Sequence, residues 1–398
     1  WGQIAGRIVR YPLPTLIVGV LVFGGLALAV THNAPSGFTD NGSTATSSQS
    51  AQGTTALGAH FPAAQTNPTN ILLRYATPVW QNPTILEQLQ HDLTRETVFR
   101  SINGPLDPNG TQLSPALLAQ LHRRLGPAAA LPAVPPSGMA IPVRLYNAYR
   151  ATAQFVSADG RTVQFYGTLS AGDPRSTGAM QAIPAVRQAV ARAAASTHAV
   201  AQGVAGEAPI SYDVSSASNA DLQHVLPVVL VAIALLLAIV LRSLIAPVYL
   251  MFSVGLSYLA ALGLAVVVFM GFGGGSGLNF ILPFFMFIFL MALGSDYNIL
   301  VMTRIREEAH TGTLPGAVTR AIAATGSTVT SAGLILAGTF GVLTISAGGQ
   351  IQQIGFSIAA GILMDTFLVR TLLVPSTVVL IGRWNWWPSR LARPEGSV

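Results

Sequence analysis

Two carboxylates lie inside apolar runs. Asp296 sits in "FLMALGSDYNILVMTRIREE" (289 to 308), and Asp365 in "GILMDTFLVRTLLVPS" (361 to 376), with Arg370 five residues further on. An acid at the centre of a membrane span costs about 2.5–3.5 kcal/mol on insertion scales, so it needs a protein or water partner. Asp296 precedes Arg304 by eight residues, roughly 12 Å at helical rise, too far for its short side chain to reach a polar boundary. An acid so placed can take up and release a proton, and the hydroxyl of Tyr297 can hydrogen-bond either form. The alternative is an Asp that caps a neighbouring helix end. On a regular α-helix Asp365 and Arg370 are rotated about 140° apart, so each is expected to meet a partner on another helix. There they either lock helix packing or handle protons.

Ser295 precedes Asp296, and "TGSTVTSAG" (325 to 333), which contains Ser331, offers small and hydroxyl residues that let helices approach closely. Those hydroxyls also offer a hydrated path toward Asp296. Two membrane acids suggest an intramembrane aspartyl protease as well. Against that, Asp296 follows Gly-Ser rather than Gly-x-Gly, and Arg370 would disturb a shared-proton dyad.

Other chemistry is sparse. His32, His60, His91, His122 and His198 stand far apart without metal-ligand spacing, and the chain has no cysteine and no lysine. A thiolate site and a Walker-type phosphate loop are thereby excluded. No metal or cofactor is expected; the ion that such a membrane acid exchanges is a proton.

The elements that must hold these residues are membrane helices. Hydrophobic residues make up 51% of the chain and charged ones only 9%, a composition outside the soluble range. Six stretches are long enough to span a bilayer, at roughly 13–31, 225–241, 248–270, 280–302, 327–346 and 354–382. The last exceeds a simple span, so its end emerges or the helix tilts. The fold class expected is a multi-pass α-helical membrane protein with an extracytoplasmic α+β domain between the first and second of six transmembrane helices. Its divisions are a lead and first helix (1–31), the α+β domain (32–224), a five-helix bundle (225–382) and a tail (383–398).

All 21 basic residues are Arg, and the short loops divide sharply. Arg7 and Arg10, Arg242, the group Arg304, Arg306 and Arg320, and the group Arg383, Arg390 and Arg393 occupy alternate ends of the spans, whereas 271–279 and 347–353 have none. The positive-inside rule puts both termini in the cytoplasm and the large domain outside, with Trp384, Trp386 and Trp387 as interfacial anchors. The net charge of +6 is mostly topological, since residues 32–224 hold eleven Arg against ten Asp and Glu. No nucleic-acid partner is expected.

Period and punctuation give the α+β domain the order βαββαβ, a split βαβ sandwich. Strands are expected at 70–76 and 208–214, helices at 83–100 and 176–196, and a hairpin over 151–170 turning at Asp159-Gly160. Residues 101–142, rich in Pro and Gly with a short helix near 114–125, read as an insertion.

Several long segments then resemble one family: "LRSLIAPVYLMFSVGLSYLAALGLA" (241–265), "GSDYNILVMTRIREE" (294–308), "SAGLILAGTF" (331–340), "MDTFLVRTLLVPS" (364–376) and "GRWNWWPS" (382–389). They look like the MmpL (mycobacterial membrane protein, large) branch of the resistance-nodulation-division (RND) transporters. Outside the membrane part the likeness is in outline only, through "GFTDNGS" and "HFP". The resemblance implies twelve helices in two similar halves, each with an outer porter domain, and this chain resembles the second half. It implies that Asp296 and Tyr297 form the Asp-Tyr pair that relays protons with a matching pair in the other half, and that Asp365 and Arg370 support the relay. Ser295 departs from the family, which often has Gly or an apolar residue there. It further implies a secondary active transporter rather than an enzyme, exporting lipids or other hydrophobic molecules from the bacterial plasma membrane. Expected partners are an N-terminal half absent from this sequence, which opens on Trp1, together with the cargo, membrane lipids, and further copies or accessory periplasmic proteins. A transport-inactive receptor or scaffold of the same architecture is the alternative.

Overall fold

The computed structural model describes residues 1–33, 35–36, 49–61, 67–273, 277–310, 312–345, 349–389 and 391. "GFTDNGS", most of the two Arg-free loops' tips, and Arg390 and Arg393 lie outside them. In chain order the helices are α1 (Gly2–Arg10), α2 (Pro12–Leu28), α3 (Gln49–His60), α4 (Thr84–Thr94), α5 (Pro115–Leu125), α6 (Val143–Ala151) and α7 (Thr177–Ser196). They continue as α8 (Glu207–Leu241), α9 (Ile245–Val266), α10 (Leu282–Ala309), α11 (Leu314–Gly341), α12 (Gly349–Met364) and α13 (Val374–Ile381). Strands are β1 (Pro35–Ser36), β2 (Thr69–Arg74), β3 (Phe99–Asn103), β4 (Thr162–Leu169), β5 (Ala201–Ala205) and β6 (Leu278–Asn279). Proline at the first turn opens α2, α5, α10 and α11, where a missing N–H costs nothing. Two compact units result, and the division falls inside α8 between Val214 and Ser215.

The first unit holds α1, α2, most of α8, and α9 to α13. Among the described residues six helical stretches are long and apolar enough to cross a membrane: Pro12–His32, Glu207–Leu241, Ile245–Phe272, Leu282–Ala309, Leu314–Ile345 and Gly349–Trp386. The third and sixth are the most enclosed, while α2, α8 and α11 carry exposed apolar side chains such as Leu21, Ile239 and Ile335. With no aqueous partner needed, every backbone group in such a span is satisfied within its own helix. Gly263 allows the closest helix crossing: a Cβ there would lie 2.7 Å from the carbonyl carbon of Leu26. Because the obstacle is backbone, Gly263→Ala is expected to push α2 from α9 and cost about 1–3 kcal/mol, read as a lower unfolding midpoint in detergent. An unchanged midpoint would mean that the crossing is not this tight.

The second unit carries a four-stranded antiparallel sheet in the order β3-β4-β2-β5. Its chain order with α4 and α7 is βαββαβ, but several elements differ from the sequence expectation. The first helix stops at Thr94, because the aromatic and β-branched run after Glu96 becomes strand β3. The hairpin has one strand: after α6 ends at Ala151 its first arm starts as a 3-10 turn, Thr152–Gln154, and only Val156 makes a single bridge to Val163. The last strand is 201–205 rather than 208–214. Gly206, with φ of +135°, turns the chain there, and the alternating "APISYDV" opens α8 instead. Pro184 sits inside an unbroken α7.

Helix-spaced Leu86, Leu89 and Leu93 of α4 and Ile183, Val186 and Val190 of α7 share one core with Ile71, Leu73, Val163 and Phe165 of the sheet. Full burial is worth about 1.5–3 kcal/mol for each such side chain. Between β3 and β4, His122 stacks on Trp80 with centroids 4.0 Å apart, and its Nδ1 lies 2.8 Å from Oη of Tyr149. The Tyr149 hydroxyl donates to the Gly126 carbonyl at 2.5 Å. Burial holds His122 below its ordinary value of 6.5. The fold thus favours the neutral ring: its contribution is complete above the unfolded value and is lost as pH falls through the lower folded one. His122→Gln should therefore flatten the acid limb of the unfolding midpoint against pH. An unaltered limb would assign acid sensitivity elsewhere.

Candidate functional site

The chain turns Asp296 outward from the first unit. Along α10 the buried positions include Gly294, Ser295, Asn298, Val301 and Met302, whereas Phe285, Ile288, Ala292, Asp296 and Leu300 form an exposed stripe at helical spacing. One carboxylate therefore stands in the middle of an otherwise apolar surface. Ser295, one residue away on the buried side, donates to the Met291 carbonyl at 2.6 Å. Ser331 is exposed on α11 and donates to the Thr328 carbonyl at 3.0 Å.

Asp365 and Arg370 meet each other rather than partners on other helices, correcting the expectation from α-helical rotation. Residues Asp365–Leu373 form a π-helix between α12 and α13. Its i→i+5 hydrogen bonds bring residues five apart onto nearly one face. Nη2 of Arg370 consequently reaches Oδ2 of Asp365 at 2.5 Å, with both side chains buried. In the same segment Thr371 Oγ1 donates to the Phe367 carbonyl.

Tyr297 links this pair to the helix of Asp296. The Arg370 guanidinium carbon lies 4.0 Å from the Tyr297 ring centroid, within cation–π range. Tyr297 is half-buried, next in sequence to the exposed acid and in contact through its ring with the buried pair. The sequence places Tyr297 beside Asp296; the structure adds that Arg370 stacks on it.

Two polar residues that the sequence reading passed over belong to the same neighbourhood. Asn298, 1% exposed, has neither amide atom hydrogen-bonded among the described residues, and the same holds for Thr366 Oγ1, Asp365 Oδ1 and Arg370 Nε and Nη1. Their signal was available: Asn298 stands two residues after Asp296 in an apolar run, and Thr366 directly follows Asp365. A cavity of about 20 Å³ lined by Thr325, Thr330, Thr366, Arg370 and Thr371 adjoins the pair. That volume suits a single water, and the lining supplies polar partners for one. The arrangement sets an outward-facing acid one residue from a tyrosine whose ring carries the cation of a buried ion pair.

Comparison with known proteins gives a consistent placement. The chain is 41% identical over 229 residues to the putative membrane protein ActII-3 of Streptomyces coelicolor, a match covering 57% of this chain and 31% of that protein. It is 38% identical over 248 residues to the sulfolipid-1 exporter MmpL8 of Mycobacterium tuberculosis, covering 62% and 22%. Against the probable transport protein MmpL12 of the same organism it is 38% identical over 262 residues, covering 65% and 23%. The chain thus spans less than a third of the length of these relatives. The MMPL family model matches residues 43–396, and with six helices among the described residues long and apolar enough to cross a membrane this chain is a multi-pass membrane protein that belongs to the MMPL family.

Proposed function

We propose that the chain is part of an RND-type exporter of lipids or other hydrophobic molecules, driven by the proton-motive force. In this reading Asp296 takes up and releases the proton, with Tyr297 as its neighbour in the relay. Asp365 and Arg370 position Tyr297 and compensate the moving charge. The α+β unit faces outward as a porter-like domain and both termini face the cytoplasm. A relative named for sulfolipid-1 export supports a lipid-like cargo.

The carrying observation is Asp296 in the middle of the exposed apolar stripe of α10. Lipid is a poor neighbour for a carboxylate, so the stripe is a protein contact: a second helix bundle of the transporter covers it and supplies the proton's other acceptor. The length of the relatives beyond the matched region fits such a second bundle. One charge moved through 100 mV releases about 2.3 kcal/mol, a usable drive for each proton.

Proteoliposomes of the whole transporter, given an imposed inward proton gradient and lipid cargo, test the reading. Export is expected to stop when the gradient is collapsed with a protonophore. Export that continues undiminished would assign the energy to another source and overturn proton coupling. Binding of cargo without export under any gradient would favour the scaffold reading.

A further inference from the structure

A second basic site lies at the polar end of the spans, away from the Asp365–Arg370 pair. An open cavity of about 720 Å³ is lined by Ala238, Arg242, Ser243, Leu244, Arg306 and His310, together with Pro388, Ser389 and Leu391 of the C-terminal segment. Arg304 and Arg320, by contrast, are paired with Glu307 and Glu308 at 2.7–2.9 Å. Arg242 and Arg306 make no ion pair among the described residues; Arg306 Nη1 only reaches the Val240 carbonyl at 3.4 Å. Among the described residues the cavity therefore collects two guanidinium groups without an ion pair and an imidazole, with no carboxylate in its lining.

The backbone at Arg242 points the same way. α8 ends in a Schellman arrangement, with the Ser243 N–H donating to the Ala238 carbonyl and the Arg242 N–H to the Ile239 carbonyl, each at 3.3 Å. Arg242 fills the left-handed position, φ +47°, where glycine is ordinarily preferred. The floor of the cavity is also built: Ser243 Oγ accepts from the N–H groups of Ile245 and Ala246 and donates to the Asn385 carbonyl at 2.6 Å, and the Leu244 N–H donates to the Trp387 carbonyl.

Around the mouth, Ile239, Val240, Leu244, Trp384 and Trp387 are exposed. Apolar side chains flanked by tryptophans mark the headgroup level of a bilayer, and basic pockets between helices there take anionic headgroups. We propose that this cavity binds the phosphate headgroup of an anionic phospholipid, its acyl chains lying along the exposed flank of α8. Assignment to the cytoplasmic leaflet rests on the orientation in the proposed function; binding itself does not.

The test is lipid retention by the purified whole transporter, measured by native mass spectrometry after incubation with phosphatidylglycerol or phosphatidylcholine. The wild type is expected to retain phosphatidylglycerol preferentially. Arg242→Gly with Arg306→Gln should weaken that preference about fivefold for each arginine removed, with Arg320→Gln, on a paired arginine, as the unchanged control. Glycine is the residue the left-handed position favours, so this variant keeps its fold and loses only the guanidinium. An unchanged preference in the double variant would overturn the proposal. So would displacement of the lipid by millimolar inorganic phosphate, which would identify a site for soluble anions. Because the readout is binding, a failure of gradient-driven export leaves it standing, and the two ideas fail separately.

Discussion

Asp296→Asn is expected to lower gradient-driven export by the assembled transporter about 100-fold or more, the scale on which removal of a proton-transferring group acts, while abundance and membrane insertion stay at wild-type levels. The substitution keeps the side chain's shape and hydrogen-bonding capacity and removes only the titratable proton. It also falls on the exposed stripe of α10, so no packing inside this unit depends on the carboxylate. Tyr297→Phe should impair export less, because the ring that carries the Arg370 guanidinium at 4.0 Å remains. Export and protein level are measured together in proteoliposomes and in membranes. Retained export in the Asn variant would exclude Asp296 as the coupling acid.

The contrast between Asp296 and Asp365 shows how far the residues alone carry the argument. The six spans are legible because hydropathy over about 20 residues dominates any local detail. That Asp296 needs a partner follows from its apolar neighbours, and the outward stripe could have been traced from Phe285, Ile288, Ala292 and Leu300 at helical spacing. The Asp365–Arg370 contact was not legible, because a spacing of five is read through α-helical geometry, and a local switch to i→i+5 bonding has no sequence signature of its own. The sheet shows the same limit. Strand β5, "AQGVA", has a single β-branched residue and owes its conformation to pairing with β2, whereas "APISYDV" has the alternation of a strand and forms helix. Pattern reports local preference, and tertiary pairing overrides it where the preference is weak.

The buried pair predicts a non-additive response to mutation. Arg370→Gln leaves Asp365 without its countercharge in a site where Oδ1 has no other partner among the described residues. Breaking a buried pair in this way costs about 3–5 kcal/mol, and Asp365→Asn alone should cost a similar amount by stranding the guanidinium. In the double variant Asp365→Asn/Arg370→Gln both charges go together, and two neutral amides remain in the site. Its loss of stability should therefore fall well short of the sum of the single losses, a coupling that unfolding in detergent measures directly. Additive losses would show that the two side chains do not interact in the membrane. Export separates structure from mechanism in the same series. The single variants should accumulate poorly, whereas the double variant should accumulate near normally yet export weakly, because Tyr297 no longer has a cation against its ring to compensate charge arriving at Asp296. Full export by a well-accumulated double variant would confine the pair to packing the π-helical turn.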